Sequence, residues 1–412
     1  MAPISATAPL RIAPFRWFFA ARSVNLIGNF MAPVALAFAV LKVSDSHIAL
    51  GAVLAARSIP VIVFLLIGGV IADRLGRART LFASNLVSGL SQATVAVLLL
   101  TGTAQLWHLI VLSIVNGIAS AAGLPAQQGL MPQVVPRNLL QEANVLTSFS
   151  RAIVAVAAPL TSGLIVITIG AGWSLAIDAA TWLVAALLML PVKVSGQVSA
   201  PSIVNDLRSG WDYFRRTTWL WVCVAACCAL NAFYEGGLMT LGPVRAKETG
   251  LGASGWGLVL TAQGIGVLIM TLTLMRVRLE RPLVAGMIGM AVFALPMIAL
   301  GLRPMMPLIL ITSFLSGFGI QMFSLSWQVT MQEHVPGALL SRAASYDQLG
   351  SFAAVPIGQL AMGSLGAAFG VGNMLLVAGI GSFVVALVTL LSPAVRNLAR
   401  VVVDAEPNGA AA

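Results

Sequence analysis

Long apolar runs recur along the whole chain, each closed by a few charged or turn-forming residues. Val24–Leu41 ends at Lys42 and Asp45, Val61–Ala72 ends at Asp73 and Arg74, and Leu81–Leu100 follows at once. Crossing a bilayer as a helix takes about 20 apolar residues, and these runs meet that length. The pattern predicts helices near 15–41, 47–71, 80–100, 106–124, 138–169 and 173–190. After a polar stretch it predicts six more, near 219–243, 254–275, 283–302, 307–328, 338–365 and 371–391. The segment 125–137 carries Pro125, Pro132 and Pro136 and reads as a turn, with Asn138 placed to cap the fifth helix. The expected fold class is an all-α membrane protein with twelve transmembrane helices.

The two sets of six are related. A shift of 200 residues places Gln128, Met131, Val135, Pro136, Leu139, Leu140 and Ala143 on Gln328, Met331, Val335, Pro336, Leu339, Leu340 and Ala343. Such spacing marks two parallel-repeat six-helix bundles, spanning 1–191 and 219–395. Between them, 192–218 is polar, with Leu207, Trp211 and Phe214 at helical spacing. That predicts an amphipathic helix lying on the membrane. The tail 396–412 is charged, then rich in alanine.

Composition narrows the function classes. With 59% hydrophobic and 9% charged residues, the chain is not an ordinary soluble enzyme. The net charge of +10 is spread over alternate loops and forms no footprint for nucleic acid. Among lysines and arginines outside the spans, only Lys42, Arg245, Lys247 and Arg303 fall on the side away from the termini. The positive-inside rule therefore puts both termini in the cytoplasm. Cys223, Cys227 and Cys228 share one apolar segment and have no metal-ligand spacing. There is no phosphate-binding G-x-x-x-x-G-K-[ST] loop, so no bound nucleotide and no cofactor are expected. The first apolar run lacks a small-residue cleavage pattern and reads as an uncleaved span.

Between the second and third runs stands Gly69-Val70-Ile71-Ala72-Asp73-Arg74-Leu75-Gly76-Arg77-Ala78-Arg79. Its charges cannot sit in hydrocarbon, so it predicts a tight loop, with Gly69 and Gly76 permitting close packing and reversal. This order resembles the helix 2–3 loop motif of the major facilitator superfamily. The segments 125–136 and 327–342, the opening 15–28 and the central 206–216 resemble the branch of macrolide-efflux proteins and the enterobactin exporter, a drug:proton antiporter branch. The resemblance implies that Asp73 caps the start of helix 11 in the outward-facing state, with Arg74, Arg77 and Arg79 extending this latch. It also implies a central cavity lined by helices 1, 2, 4, 5, 7, 8, 10 and 11. The antiporter motif of helix 5 survives only as Ala158-Pro159-Leu160-Thr161-Ser162-Gly163, which retains the material for a kink. The helix-4 arginine of other drug antiporters stands here as Ser113.

Charges inside spans are costly and mark candidate sites. Arg57 lies ten residues into helix 2 and Glu235 ten residues before Arg245, so each sits about 15 Å from the same face. They are expected to face one aqueous cavity, with Glu235 protonatable and Arg57 tuning it, or else to form a structural pair. Arg151 suits an anionic substrate group and Asp347 a proton or cation, with a bond from Asp347 to Arg342 as the alternative. Arg22 lies on helix 1 and could reach headgroups instead. Asp178, on peripheral helix 6, reads as structural. Asn25, Asn116, Asn231, Gln263, Gln321 and Gln328 offer cavity or interhelical hydrogen bonds. Phe233, Tyr234, Trp256, Phe318 and Trp327 offer an apolar pocket or plain packing.

These features together predict a secondary transporter in the cell membrane that exports a small amphipathic molecule, a drug or siderophore, in exchange for protons. Alternatives are an importer on the same fold, or a non-transporting scaffold or receptor. No nucleophile, base and orienting group converge by spacing, so an enzyme is not expected.

Overall fold

The computed structural model describes residues 7–44, 46–136, 139–192, 194, 211–274, 276–277, 279–336 and 339–399. Twelve helices long and apolar enough to cross a bilayer are present among these residues. They are α1 Ala13–Val43, α2 His47–Leu75, α3 Arg77–Leu100, α4 Leu106–Val134, α5 Leu140–Thr168, α6 Ala171–Met189, α7 Thr218–Glu248, α8 Gly252–Leu274, α9 Pro282–Leu302, α10 Met306–His334, α11 and α12 Val371–Leu391. The α11 helix comes in two pieces, Leu340–Phe352 and Val355–Phe369. No strand occurs among the described residues. Residues such as Val63, Leu187 and Val388 are more than half exposed, as lipid-facing side chains must be.

Within the first six helices, α1 packs on α5 and α6, α3 on α4 and α6, and α2 on α4. In the last six, α9 and α8 pack on α10, and α7 on α11 and α12. The repeated residues hold the ends nearest the termini. Met131, Val135 and Ala143 are buried with Phe15 and Phe18, while Met331, Val335 and Ala343 are buried with Trp219 and Leu220.

The two sets meet at the opposite end. There α5 lies on α8, and the outer piece of α11 lies on α2. Small residues permit this approach, because lipid gives apolar helices no reason to associate and close backbone contact must do so. A Cβ on Gly257 would stand 2.6 Å from the Pro159 carbonyl, one on Gly163 2.7 Å from that of Ala253, and one on Gly51 would collide with that of Gln359. Lys247 Nζ donates to the Leu41 carbonyl at 2.7 Å, tying the far end of α7 to that of α1. Among the described residues these contacts seal the far end and leave a gap between the halves toward the end that bears the termini.

Several boundaries depart from the sequence expectation. Helix α4 runs through Pro125 and Pro132 to Val134, so the predicted turn at 125–137 starts ten residues late. A helix entering lipid retains more satisfied backbone groups by absorbing a proline than by unwinding. Helix α2 continues to Leu75, so Arg74 lies on its last turn. The reversal is made by Gly76 alone, whose φ of 89° is open to glycine. The expected cap Asn138 and linker residue Leu207 lie outside the described residues. Residues 211–216 are helical, and Trp211 and Phe214 pack at a tilt against Tyr346 of α11, which the expected membrane-surface placement did not include.

Candidate functional site

Helix α7 is not uniform. Tyr234–Leu241 is a π-helical segment, flanked by α-helix on both sides. Pro243 follows it, has no N–H, and would press its ring on the carbonyl four residues back; a wider turn relieves that clash. Thr240 Oγ1 takes up the Glu235 carbonyl at 2.7 Å, and Gly236 seats against the Gly358 carbonyl of α11. The segment thereby presents Glu235, half-buried, where the gap ends and the seal begins. Gln359 Nε2 of α11 donates to Glu235 Oε2 at 3.3 Å.

Arg57, on α2 of the first half, lies within electrostatic reach of Glu235 on the second. It also lies within reach of Asp178, which is fully buried on α6. Gln92 Nε2 of α3 donates to Asp178 Oδ2 at 2.6 Å, while Oδ1 has no hydrogen-bond partner. Gly28 leaves room for this carboxylate against the α1 backbone. Sequence position assigned Asp178 to a peripheral helix. Its carboxylate instead points inward, where a buried charge without partners costs several kcal/mol, about the scale that makes Arg57 its natural counter-ion. The predicted pair is therefore part of a group of three, shared between halves and lying at the seal, not in open water.

Closer to the termini the gap is lined differently. Arg22 of α1 and Arg151 of α5 lie within electrostatic reach of each other, and the Arg151 guanidinium stands 5.8 Å from the Phe30 ring centroid. Between their neighbours, Ser150 Oγ donates to Ser23 Oγ at 2.9 Å. In the second half, Asp347 of α11 accepts from Trp327 Nε1 at 2.9 Å and from Ser351 Oγ at 3.0 Å. Asn231 Nδ2 donates to the Ser351 carbonyl at 2.9 Å, tying α7 to the same place. The alternative partner Arg342 has its side chain outside the described part.

Several other expected cavity residues are taken up in packing. Trp256 is fully buried on Gly242, and Phe233 lies against Gly381 of α12. The Tyr234 ring packs at a tilt on Phe293, centroids 4.8 Å apart, and its hydroxyl donates to Gln263, whose Nε2 donates to Ser316 at 3.2 Å, so both serve the inside of the second bundle. Asn25 and Asn116 are buried in the first bundle, each with an Nδ2 lacking a partner. Gln328 is exposed, Phe318 packs edge-on against Phe314, and Gln321 is half-buried. Sequence reasoning missed Gln92, Gln359 and Ser351. Uncharged amides and hydroxyls inside apolar runs were the available signal.

Ala158, Pro159 and Gly163 lie in an unbroken α5, and Pro159 and Gly163 make contact with α8. In the helix 2–3 motif, close packing falls to Gly68, whose Cβ would collide with the Ala121 carbonyl; at Gly69 the nearest atom is 3.9 Å away. Arg77 Nη1 donates to the Gly129 carbonyl of α4, Arg74 and Arg79 are exposed, and the Asp73 side chain is outside the described part. A groove of about 540 Å³ between α2, α3 and α4 is lined by Phe64, Ile67 and Val115 with Arg79 at its edge. Its exposed apolar walls suit acyl chains, and it lies away from the gap between halves.

Residues 4–405 match the family profile of transmembrane secretion effectors, within the major facilitator group. The chain is 24% identical to the multidrug efflux pump Tap of Mycolicibacterium fortuitum, over 90% of this chain and 93% of that protein. It is 23% identical to the enterobactin exporter EntS of Escherichia coli, over 86% and 85% of the two chains. Among solved structures, a bacterial homolog of the human lysosomal transporter Spinster, inward-facing and unoccupied, superposes with a TM-score of 0.70 at 13% identity. It covers 93% of this chain and 96% of that one, a likeness of fold.

Proposed function

We propose that this chain, which belongs to the transmembrane secretion effector family of the major facilitator superfamily, exports a small amphipathic molecule from the cytoplasm in exchange for protons. It is a multi-pass membrane transporter; the proposal concerns direction, coupling and mechanism. The halves, 1–191 and 219–395, rock about a central site, with 192–218 as linker and 396–412 as tail. Both termini lie in the cytoplasm of a cell-membrane protein, as the distribution of lysine and arginine supports.

One observation carries the reading: the carboxylate at the seal has its cation on the other half. Glu235 belongs to α7 and Arg57 to α2, and they lie within electrostatic reach of each other with the far end shut. Opening that end parts them. Arg57 then keeps Asp178, and Glu235 is left facing the outside with Gln359 alone, a placement suited to taking up a proton. Reclosure returns Arg57, whose positive charge opposes retention of the proton as the gap opens towards the cytoplasm. Asp347 is a second carboxylate on the exit path. The motif Gly69, Asp73, Arg74, Gly76, Arg77 and Arg79 serves as latch for the opposite state.

The test is a proteoliposome assay with an imposed pH gradient and a panel of dyes, macrolides and siderophores. Gradient-driven movement of a panel member is expected, its direction following that of an exporter. Glu235→Gln should abolish the dependence on the gradient while the protein still folds. Unchanged gradient-driven transport by that variant would remove Glu235 from the mechanism, and movement in the reverse sense would make the protein an importer.

A further inference from the structure

The arginines nearest the mouth of the gap have no counter-ion of their own. Among the described residues neither Arg22 nor Arg151 takes part in an ion pair, and Arg22 Nε is buried with no hydrogen-bond partner. The charge felt at Arg22 is that of Arg151, which is of the same sign. A guanidinium does not shed its proton, so two of them in a partly dehydrated space repel, and lost hydration is restored only by an anion. Sequence periodicity does not bring them together; the Ser150–Ser23 hydrogen bond sets the register of α5 on α1 and places the two arginines beside it. They stand nine and eleven residues from the termini-side starts of their helices, about 14 and 17 Å along the axes at 1.5 Å per residue. Phe30 braces the Arg151 guanidinium from one side, which orders the plane and leaves its N–H fork for another group.

We infer that Arg22 and Arg151 form a two-pronged clamp for a carboxylate, so that the cargo is an amphipathic organic acid whose planar or apolar part lies on Phe30. The inference rests on the transport reading above and adds the charge of the cargo. Asp347 is occupied by Trp327 and Ser351, and it orients the acid with its anionic end toward α1 and α5. Like-charge repulsion makes the empty clamp open and the loaded one tight, which couples binding to the approach of α1 and α5.

A matched probe pair tests it. N-dansyl-leucine carries a carboxylate, and N-dansyl-leucinamide is the same body without the charge. Fluorescence titration uses the full chain in neutral phosphatidylcholine nanodiscs, with empty discs subtracted. The acid is expected to bind wild type at least about tenfold tighter than the amide. Arg22→Gln and Arg151→Gln should each bring the acid toward the amide value, and the double variant should erase the preference. Arg151→Lys, which keeps the charge and loses the fork, should weaken acid binding several-fold and leave amide binding unchanged, so the idea stays testable if the glutamine variants fail to fold. Equal binding of acid and amide, a preference that survives in the double variant, or no acid binding by folded wild type would each overturn the clamp. The transport reading is judged separately, on whether wild-type vesicles move any dye under a gradient.

Discussion

Helices α5 and α11 are copies of one another, and their differences locate the chemistry. A shift of 200 residues superposes the turn that leads into each: Met131 on Met331, Val135 on Val335 and Ala143 on Ala343, matched in burial at 6% against 5%, 3% against 4% and 0% against 0% exposed. One turn further in, the copies part. Thr147 stands where the other helix has Asp347, and Arg151 where it has Ser351. Beyond that, α5 runs unbroken through Pro159, while α11 is interrupted at 353–354 ahead of Pro356. Pro356 has no N–H to offer the Phe352 carbonyl four residues back and its ring crowds it, and the break falls within that turn. The buried residues that close each bundle have been kept, while one copy carries Arg151 and the other Asp347. A symmetric pair of bundles thus encloses an asymmetric, dipolar space.

The comparison is broken most severely at the seal, where both helices meet the other half through glycine. Gly51→Leu would drive a side chain into the Gln359 carbonyl of α11, and Gly257→Leu into the Pro159 carbonyl of α5. Each should reduce gradient-driven transport to background, more than about 100-fold, because a closed state displaced by several kcal/mol is no longer visited. Labelling of the gap by a membrane-impermeant maleimide from the side away from the termini should rise in both. Loss in one variant and normal transport in the other would mean that the two seals are not equivalent.

A second measurement concerns stability. Asp178 has no acidic counterpart in the second half, where the apolar α12 occupies the place of α6. Asp178→Asn leaves Arg57 without its counter-ion in the same bundle and should lower stability by about 3 kcal/mol, the usual result of removing one member of a buried pair. Arg57→Gln in that background should recover part of the loss. Additive losses in thermal unfolding of the two singles and the double would show that the charges are not coupled.

The third test moves the difference from one copy to the other. Thr147 and Arg151 are four residues apart, as Asp347 and Ser351 are, and that spacing already supports the 3.0 Å bond on α11. Thr147→Asp should therefore satisfy Arg151 from its own helix and reduce acid-probe binding about tenfold. Amide binding should not change. Acid affinity equal to wild type would show that Arg151 is not what recognises the carboxylate.

The sequence made the number of spans, the repeat and the intramembrane charges legible, because hydrocarbon tolerates few exceptions to length and polarity. What it hid has a common cause. In a membrane bundle an apolar residue suits lipid, core or cavity equally, so periodicity did not separate Trp256 and Phe233, which pack inside, from a pocket wall. Asp178, read as structural from its place on helix 6, is fully buried and bonded by Gln92; what position did not reveal is its reach to Arg57. Prolines were overweighted at Pro125 and Pro132, since a rule learned from water-soluble helices undervalues the penalty for unwinding in lipid. The π-helical turn carrying Glu235 left no periodic trace at all, because it depends on the collision between Pro243 and the preceding turn.

The smallest expected effect separates two adjacent glycines. Gly68 has the Ala121 carbonyl of α4 where a Cβ would go, and Gly69, the glycine of the helix 2–3 motif, has only Pro125 Cβ at 3.9 Å. Packing in this state therefore asks for Gly68 and not for the motif residue. Gly68→Ala should cost about 1–3 kcal/mol in thermal unfolding, as forced contacts with backbone do. Gly69→Ala should change stability by less than about 0.5 kcal/mol, within the range of substitutions that meet only ordinary contacts. If the motif acts when the termini-bearing end closes, Gly69→Ala should nevertheless slow turnover a few-fold. Its demand for a small residue then belongs to a conformation other than the one with the far end sealed. Normal turnover alongside normal stability would remove Gly69 from the latch and leave reversal at Gly76 as the motif's sole glycine requirement.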